Sequence, residues 1–143
     1  MEVPAELLAL IRRFEGCRLR AYLCPAGVPT IGWGSTGPDV RLGMVWTQAQ
    51  ADARMAYDAA LYLRGALALC PTIGRPGRAA AIADFGYNLG LTRLRSSTLR
   101  RRVLARDWVG AERELMRWVR AGGRVLPGLV ARRQAEAQLM RSN

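Results

Sequence analysis

Glu15, Cys24 and Thr30 are the side chains of this sequence best placed to do chemistry, and they fall in one short stretch. An acid closes the apolar segment that ends Phe14-Glu15-Gly16. A thiol follows in Ala21-Tyr22-Leu23-Cys24-Pro25, and a hydroxyl in Pro29-Thr30-Ile31-Gly32-Trp33-Gly34. A single turn of the chain could gather all three around one bond. Cleaving a glycosidic bond needs an acid to protonate the leaving oxygen and a second group to deliver or stabilise the attack. Glu15 suits the first task. A carboxyl of ordinary pKa, about 4.3, is ionised at neutrality, so a site using it as an acid must desolvate it. Phe14 and the apolar residues before it are expected to do so. Cys24 stands where a second carboxylate would be expected.

The elements that must hold these residues are legible in the spacing. Pro4 suits a first helical turn, Leu7, Leu10, Ile11 and Phe14 share one helical face, and Gly16 is placed to stop the helix just after Glu15. From Arg18 to Cys24 the pattern changes to period two, with Leu19, Ala21 and Leu23 on one face and Arg18, Arg20, Tyr22 and Cys24 on the other. Pro25-Ala26-Gly27 supplies a turn. Thr30, Ile31 and Trp33 resume a strand in which Gly32 and Gly34 mark close backbone approach. A hairpin of this size is marginal alone and must lean on helices.

Thr47 and Gln50 form a capping-box pair, which predicts a long helix running to Cys70-Pro71 and joining two lobes. Helical spacing recurs over 78–89, 98–105, 107–121 and 129–140, with Trp108, Ala111, Leu115, Trp118 and Val119 as one apolar stripe. Gly122-Gly123 and Pro127-Gly128 mark a break before the last helix. No repeat or linker is evident. The expectation is an α+β fold, mostly α, with a small antiparallel hairpin lobe and a helical lobe, forming a single domain over 1–143.

Composition narrows the chemistry further. The chain has 143 residues, 22 basic against 11 acidic, a net charge of +11 and no histidine; every basic residue is arginine. Without histidine, Ser-His-Asp hydrolysis and histidine-built metal sites are excluded, so carboxylates and thiols must carry any catalysis. The positive field favours polyanionic partners, whether nucleic acid, cell wall or an anionic membrane surface. Cys17, Cys24 and Cys70 show no paired ligand spacing, and free thiols are expected. No apolar run is long enough to span a bilayer, and the Met1-Glu2-Val3-Pro4 start is unlike a secretion signal.

The Glu15, Cys24, Thr30 spacing resembles the phage-type lysozymes of glycoside hydrolase family 24, whose signature is Glu, eight residues, Asp, five residues, Thr. Further blocks carry the same resemblance: Phe85-Gly86-Tyr87-Asn88-Leu89-Gly90, Ser97-Thr98-Leu99, 118–123, and 128–136 with Arg132-Arg133-Gln134-Ala135-Glu136. The resemblance covers nearly the whole chain. It implies a two-lobed lysozyme fold and hydrolysis of the β-1,4 link between N-acetylmuramic acid and N-acetylglucosamine in peptidoglycan. It also implies an endolysin role, a monomer that needs no cofactor and no metal, and residence in the host cytoplasm until a holin gives access to the wall. Glu15 would be the general acid, Thr30 would help hold the attacking water, and Cys24 would take the place of the usual aspartate.

Cys24 has three readings: a thiolate acting as base or nucleophile, a neutral thiol that fills space, or a mark of lost activity. A thiol of ordinary pKa near 8.5 is only slightly ionised at neutrality. Arg18 and Arg20, on the same strand face, are expected to lower it, and a functional thiol is preferred. Tyr22, Gly32, Trp33, Asn88 and Arg133 are the candidate substrate contacts. Each has a plainer reading. Trp33 and Trp46 would be core, Asn88 would cap its helix beside Gly90, and Arg132, Arg133 and Glu136 would form a solvated ion-pair face, slightly preferred. Cys17 and Cys70 look structural. A rival reading is a non-enzymatic binder of DNA or anionic membrane through arginine-rich helices over 93–106. A baseplate or tail lysozyme would share the chemistry and differ in delivery.

Overall fold

The computed structural model describes residues 2–142; Met1 and Asn143, the two ends of the expected domain, lie outside the described residues. Helix α1 (Ala5–Glu15) starts after Pro4 and stops at Gly16, burying Leu7, Leu10 and Ile11. Strands β1 (Arg18–Leu23) and β2 (Pro29–Gly32) form the antiparallel hairpin, with Tyr22 opposite Thr30 and Leu23 opposite Pro29. Helix α2 (Gln48–Leu69) opens on the capping box at Thr47, where both reciprocal bonds form, and ends at Cys70. Helices α3 (Pro76–Leu89), α4 (Leu91–Ser96), α5 (Thr98–Leu104) and α6 (Trp108–Leu115) follow. A two-residue pair, β3 (Arg120–Ala121) and β4 (Arg124–Val125), precedes the last helix, α7 (Pro127–Arg141). No helix among the described residues is long and apolar enough to cross a membrane.

The mostly helical α+β architecture matches the sequence expectation, and the departures are local. Period two does not survive in β1: Ala21 is buried, whereas Leu19 and Leu23 are exposed. A bulge between Arg18 and Tyr22 frees the middle of the strand from β2. The freed backbone pairs with the following loop instead, Ala21 N–H donating to Met44 O and Trp46 N–H to Leu19 O. The small lobe therefore has a thin core of Ala21, Ile31 and Val40, backed by Met44 and Trp46.

The helix expected over 107–121 stops at Leu115, and further on Gly122 and Gly123 both take left-handed backbone, at φ 59° and 76°. Two such residues in sequence make the tight turn that reverses a hairpin, here pairing Arg120 with Val125. The apolar stripe survives in part: Ala111 and Leu115 are buried, and Trp108 and Trp118 pack against the main core.

That core is built around α3. Ala80 to Phe85 are wholly buried, and α1, α2 and α7 each pack against this helix. The alanines let the neighbouring backbones approach closely. Polar Asp84 lies within the same run, with no exposure at all.

Candidate active site

An open, mostly polar cleft of about 430 Å³ lies where the hairpin meets α2 and the end of α3. Glu15 enters from the end of α1, and Tyr22, Cys24, Pro25 and Thr30 from the hairpin. Gly34 and Thr36 line it from the loop after β2, Asp58 and Tyr62 from α2, and Tyr87, Asn88 and Gly90 from the α3 terminus.

On the helical side, side chains from three helices converge. Arg132 of α7 donates from Nε and Nη2 to the two carboxylate oxygens of Asp84, at 2.9 and 2.8 Å, and from Nη1 to Glu15 Oε2 at 2.6 Å. Burial alone would push the Asp84 carboxyl up, but the fork of Arg132 and a bond from Glu136 hold it below the usual carboxylate range. Burial works against the charge on Arg132 too, and is outweighed by Asp84 and Glu15, so its guanidinium is held more firmly than usual. Gly34 completes the seat of Glu15. A Cβ at this position would stand 2.5 Å from Glu15 Oε1, and its φ of 84° disfavours any other residue.

The hairpin side is held by backbone. Cys24 N–H donates to Val28 O and Gly27 N–H to Cys24 O, closing a turn with the sulfur at its rim. The Val28 N–H does most to bring the thiol below its ordinary value; slight burial opposes it, and the Ala26 N–H, the Thr30 hydroxyl and the Gly27 N–H assist. Arg18 and Arg20, expected to do this work, do not contribute; the Arg18 guanidinium lies 4.3 Å from the centre of the Tyr22 ring. Thr30 has a single hydroxyl proton, placed on Val28 O at 2.9 Å, so serving the sulfur requires the hydroxyl to turn. Cys17 and Cys70 are also free thiols, and burial pushes Cys70 up to about 11.

Of the eight residues singled out in the sequence, the cleft gathers Glu15, Tyr22, Cys24, Thr30 and Asn88. Three others lie elsewhere. Gly32 is buried beneath Trp46. Trp33 packs on the main core and donates its indole N–H to Asp52 at 2.8 Å, in line with the plainer reading. Arg133 is wholly buried, so it cannot touch a substrate; its Nη2 donates to Asn88 Oδ1 at 2.7 Å, and its guanidinium lies over the Phe85 ring. Asn88 does not cap α3, since the closing bond runs from Gly90 N–H to Gly86 O. The preferred solvated face of Arg132, Arg133 and Glu136 is also overturned: each is at most 3% exposed.

The apolar sheath expected around Glu15 is replaced by this polar seat. Its key member, Asp84, was missed because an acid in an alanine-rich helix carries no pattern of its own. The signal for α7 was available: Arg133, Glu136, Ala137 and Met140 fall at i, i+3, i+4 and i+7, one face shared by charged and apolar residues. A second network also escaped notice. Asp58 accepts from Ser35 Oγ at 2.8 Å and Arg54 Nε at 3.0 Å, tying the loop after β2 to α2. Tyr87 donates to Trp33 O at 2.6 Å across the same junction.

A mostly helical fold with a short hairpin, and a cleft between them lined by Glu15 and Thr30, is the arrangement of a lysozyme-like glycosidase. The phage lysozyme family model matches residues 12–136, and the chain belongs to that family. An endolysin of Acyrthosiphon pisum secondary endosymbiont phage 1 is 38% identical over 146 aligned positions, spanning 99% of each chain. Among solved structures, the muramidase domain of SpmX from Asticaccaulis excentricus superposes with a TM-score of 0.89 at 27% identity, over 99% of each chain. An endolysin from Escherichia coli O157:H7 phage FAHEc1 gives 0.86 at 29% identity, covering 99% of this chain and 94% of that one. The protein is therefore a glycoside hydrolase of the lysozyme class.

Proposed function

We propose that this enzyme is an endolysin-type muramidase, a single catalytic domain that hydrolyses the β-1,4 bond between N-acetylmuramic acid and N-acetylglucosamine in peptidoglycan. One observation carries the assignment of roles: Glu15, Cys24 and Thr30 line one open cleft from opposite sides. Glu15 gives its proton to the glycosidic oxygen as the bond to the anomeric carbon breaks. Arg132 occupies Oε2, which leaves Oε1, beside Gly34, to carry that proton. A water positioned by Thr30 attacks from the hairpin side, and its proton passes to the Cys24 thiolate. The turn N–H groups around Cys24 favour that thiolate, as a base requires. Tyr22 and Asn88 are the proposed sugar contacts on the two sides.

The test compares turbidity clearing of permeabilised cells by the wild type and Glu15→Gln. The amide cannot donate the acid proton, and the rate is expected to fall about 10²–10⁴-fold. Clearing that survives the change rejects the assignment.

The proposed setting is the host cytoplasm, with a holin opening the way to the periplasmic wall, and the enzyme acts as a monomer. The +11 charge adds electrostatic contact with the anionic envelope. Lysis insensitive to added salt would remove that contact from the account.

A further inference from the structure

Three tyrosines line the cleft, and they are not equivalent. Tyr22 of β1 has the Arg18 guanidinium 4.3 Å from its ring centre, so one face of the ring is taken. Tyr87 of α3 donates its hydroxyl proton to Trp33 O at 2.6 Å, and burial pushes that hydroxyl far above its usual range. Tyr62 of α2 differs from both. Its ring centre lies 5.3 Å from that of Tyr87, with the planes tilted by 59°. Its Cδ1 lies over Gly86, where a Cβ would stand 3.7 Å away. Helix α3 therefore backs the ring on one side. The Tyr62 hydroxyl bonds to no described residue and is not sealed from solvent. Burial, and then the charge of Asp58, push it above its usual range, so it keeps its proton at neutrality. Asp58 stands four residues earlier on the same face of α2 and lines the cleft too; its carboxylate already accepts from Ser35 and Arg54. The Glu15 charge bears on Tyr87, and the Asp58 charge on both tyrosines. Seen from the acid, Tyr62 thus stands beyond Tyr87, further along the cleft wall.

We propose that Tyr62 is a substrate contact on the α2 wall: its open ring face and unengaged hydroxyl receive an N-acetylated pyranose of the glycan at a unit remote from the bond being cut. A pyranose presents C–H groups on its face and polar groups on its rim, and an aromatic ring carrying one hydroxyl answers both. The hydroxyl donates to a sugar oxygen or to the acetamido carbonyl, and no covalent bond changes. The inference rests on the muramidase reading given above and extends it to a wall of the cleft that the reading leaves unassigned. A contact this far from the reacting atoms holds substrate and transition state alike, so it sets KM and leaves kcat nearly unchanged. Tyr57 supplies the internal control. It lies five residues earlier on the same helix, is 61% exposed, and does not line the cleft.

The direct test uses carbon-13 spectra of protein labelled at tyrosine Cζ, which has four such residues, in the Glu15→Gln background to prevent turnover. Tyr62→Phe and Tyr57→Phe identify the two resonances. Soluble glycan strands of peptidoglycan, stripped of their peptides, are expected to shift Tyr62 and to leave Tyr57 in place. Kinetics on the same strands, with Glu15 restored, then separate contact from packing. Tyr62→Phe keeps the ring and its seat on α3, and its KM should rise about 2–10-fold through loss of one hydrogen bond, at little change in kcat. Tyr62→Ala, checked for folding by circular dichroism, should raise KM by at least about tenfold. A Tyr62 resonance unmoved by the strands, an equal shift at Tyr57, or a wild-type KM in Tyr62→Phe overturns the proposal. A fall in kcat at unchanged KM also overturns it, because that pattern belongs to a group supporting the reacting atoms. If Tyr62→Ala does not fold, the resonance and the Phe variant decide. Lysis that survives Glu15→Gln counts against the acid alone, whereas an unmoved Tyr62 in a Glu15→Gln variant without lysis counts against this contact alone.

Discussion

The two sides of the cleft are built by opposite means. Glu15 is held by side chains from distant parts of the sequence, through Arg132 to Asp84, with almost no exposure behind it. Cys24 is held by the backbone of its own turn and stands half-exposed at the rim. A side chain fixed by a buried ion network can be displaced by changing any member, whereas one fixed by turn amides is indifferent to neighbouring side chains. The acid side is thus precise and easily damaged, and the hairpin side is tolerant of residue type. Turn N–H groups stabilise any anion placed among them, thiolate or carboxylate alike.

The contrast can be broken most forcefully at Asp84. Asp84→Asn leaves Arg132 buried without its anion, and unfolding by urea should show a loss of about 3–5 kcal/mol. A loss well under 1 kcal/mol would mean that the acid side is no more tightly built than the hairpin side. Gly34→Ala has a smaller expected effect on stability and a sharp one on activity. The added methyl meets Glu15 Oε1 in a backbone conformation that costs about 1–3 kcal/mol for a non-glycine residue. The rate of lysis should fall more than the melting temperature would suggest, and a variant with normal kcat would show that Glu15 has room to spare. The mildest perturbation is alkylation followed against pH. Cys24 should react first, with a midpoint below that of an ordinary thiol, and Cys70 last, near 11. Alkylated enzyme that retains full activity would assign the sulfur to packing.

The same division explains what the sequence revealed. The Glu15 helix, the turn at Pro25-Ala26-Gly27 and the capping box at Thr47 are local devices, each readable within a few residues. The grouping of Glu15, Cys24 and Thr30 followed from them together with the family spacing. The Asp84–Arg132–Glu15 chain was not readable in this way, because its partners stand 48 and 117 positions apart. Nothing in a run such as Ala79-Ala80-Ala81-Ile82-Ala83 announces that the next residue anchors an arginine from another helix. Gly32 and Trp33 turn inward, against Trp46 and onto the main core, although Thr30 and Gly34 on either side of them line the cleft. The β3–β4 hairpin was within reach. Gly122-Gly123 between Arg-Ala and Arg-Val is a reversal signal as well as a helix stop.

The alanine run of α3 has a mechanical meaning as well. A rod gripped on several flanks by neighbours at short range has no slack to slide or roll, so it serves as the fixed axle of the molecule. Glu15, tied to this axle through Arg132 and Asp84, is therefore anchored to the least movable part of the molecule.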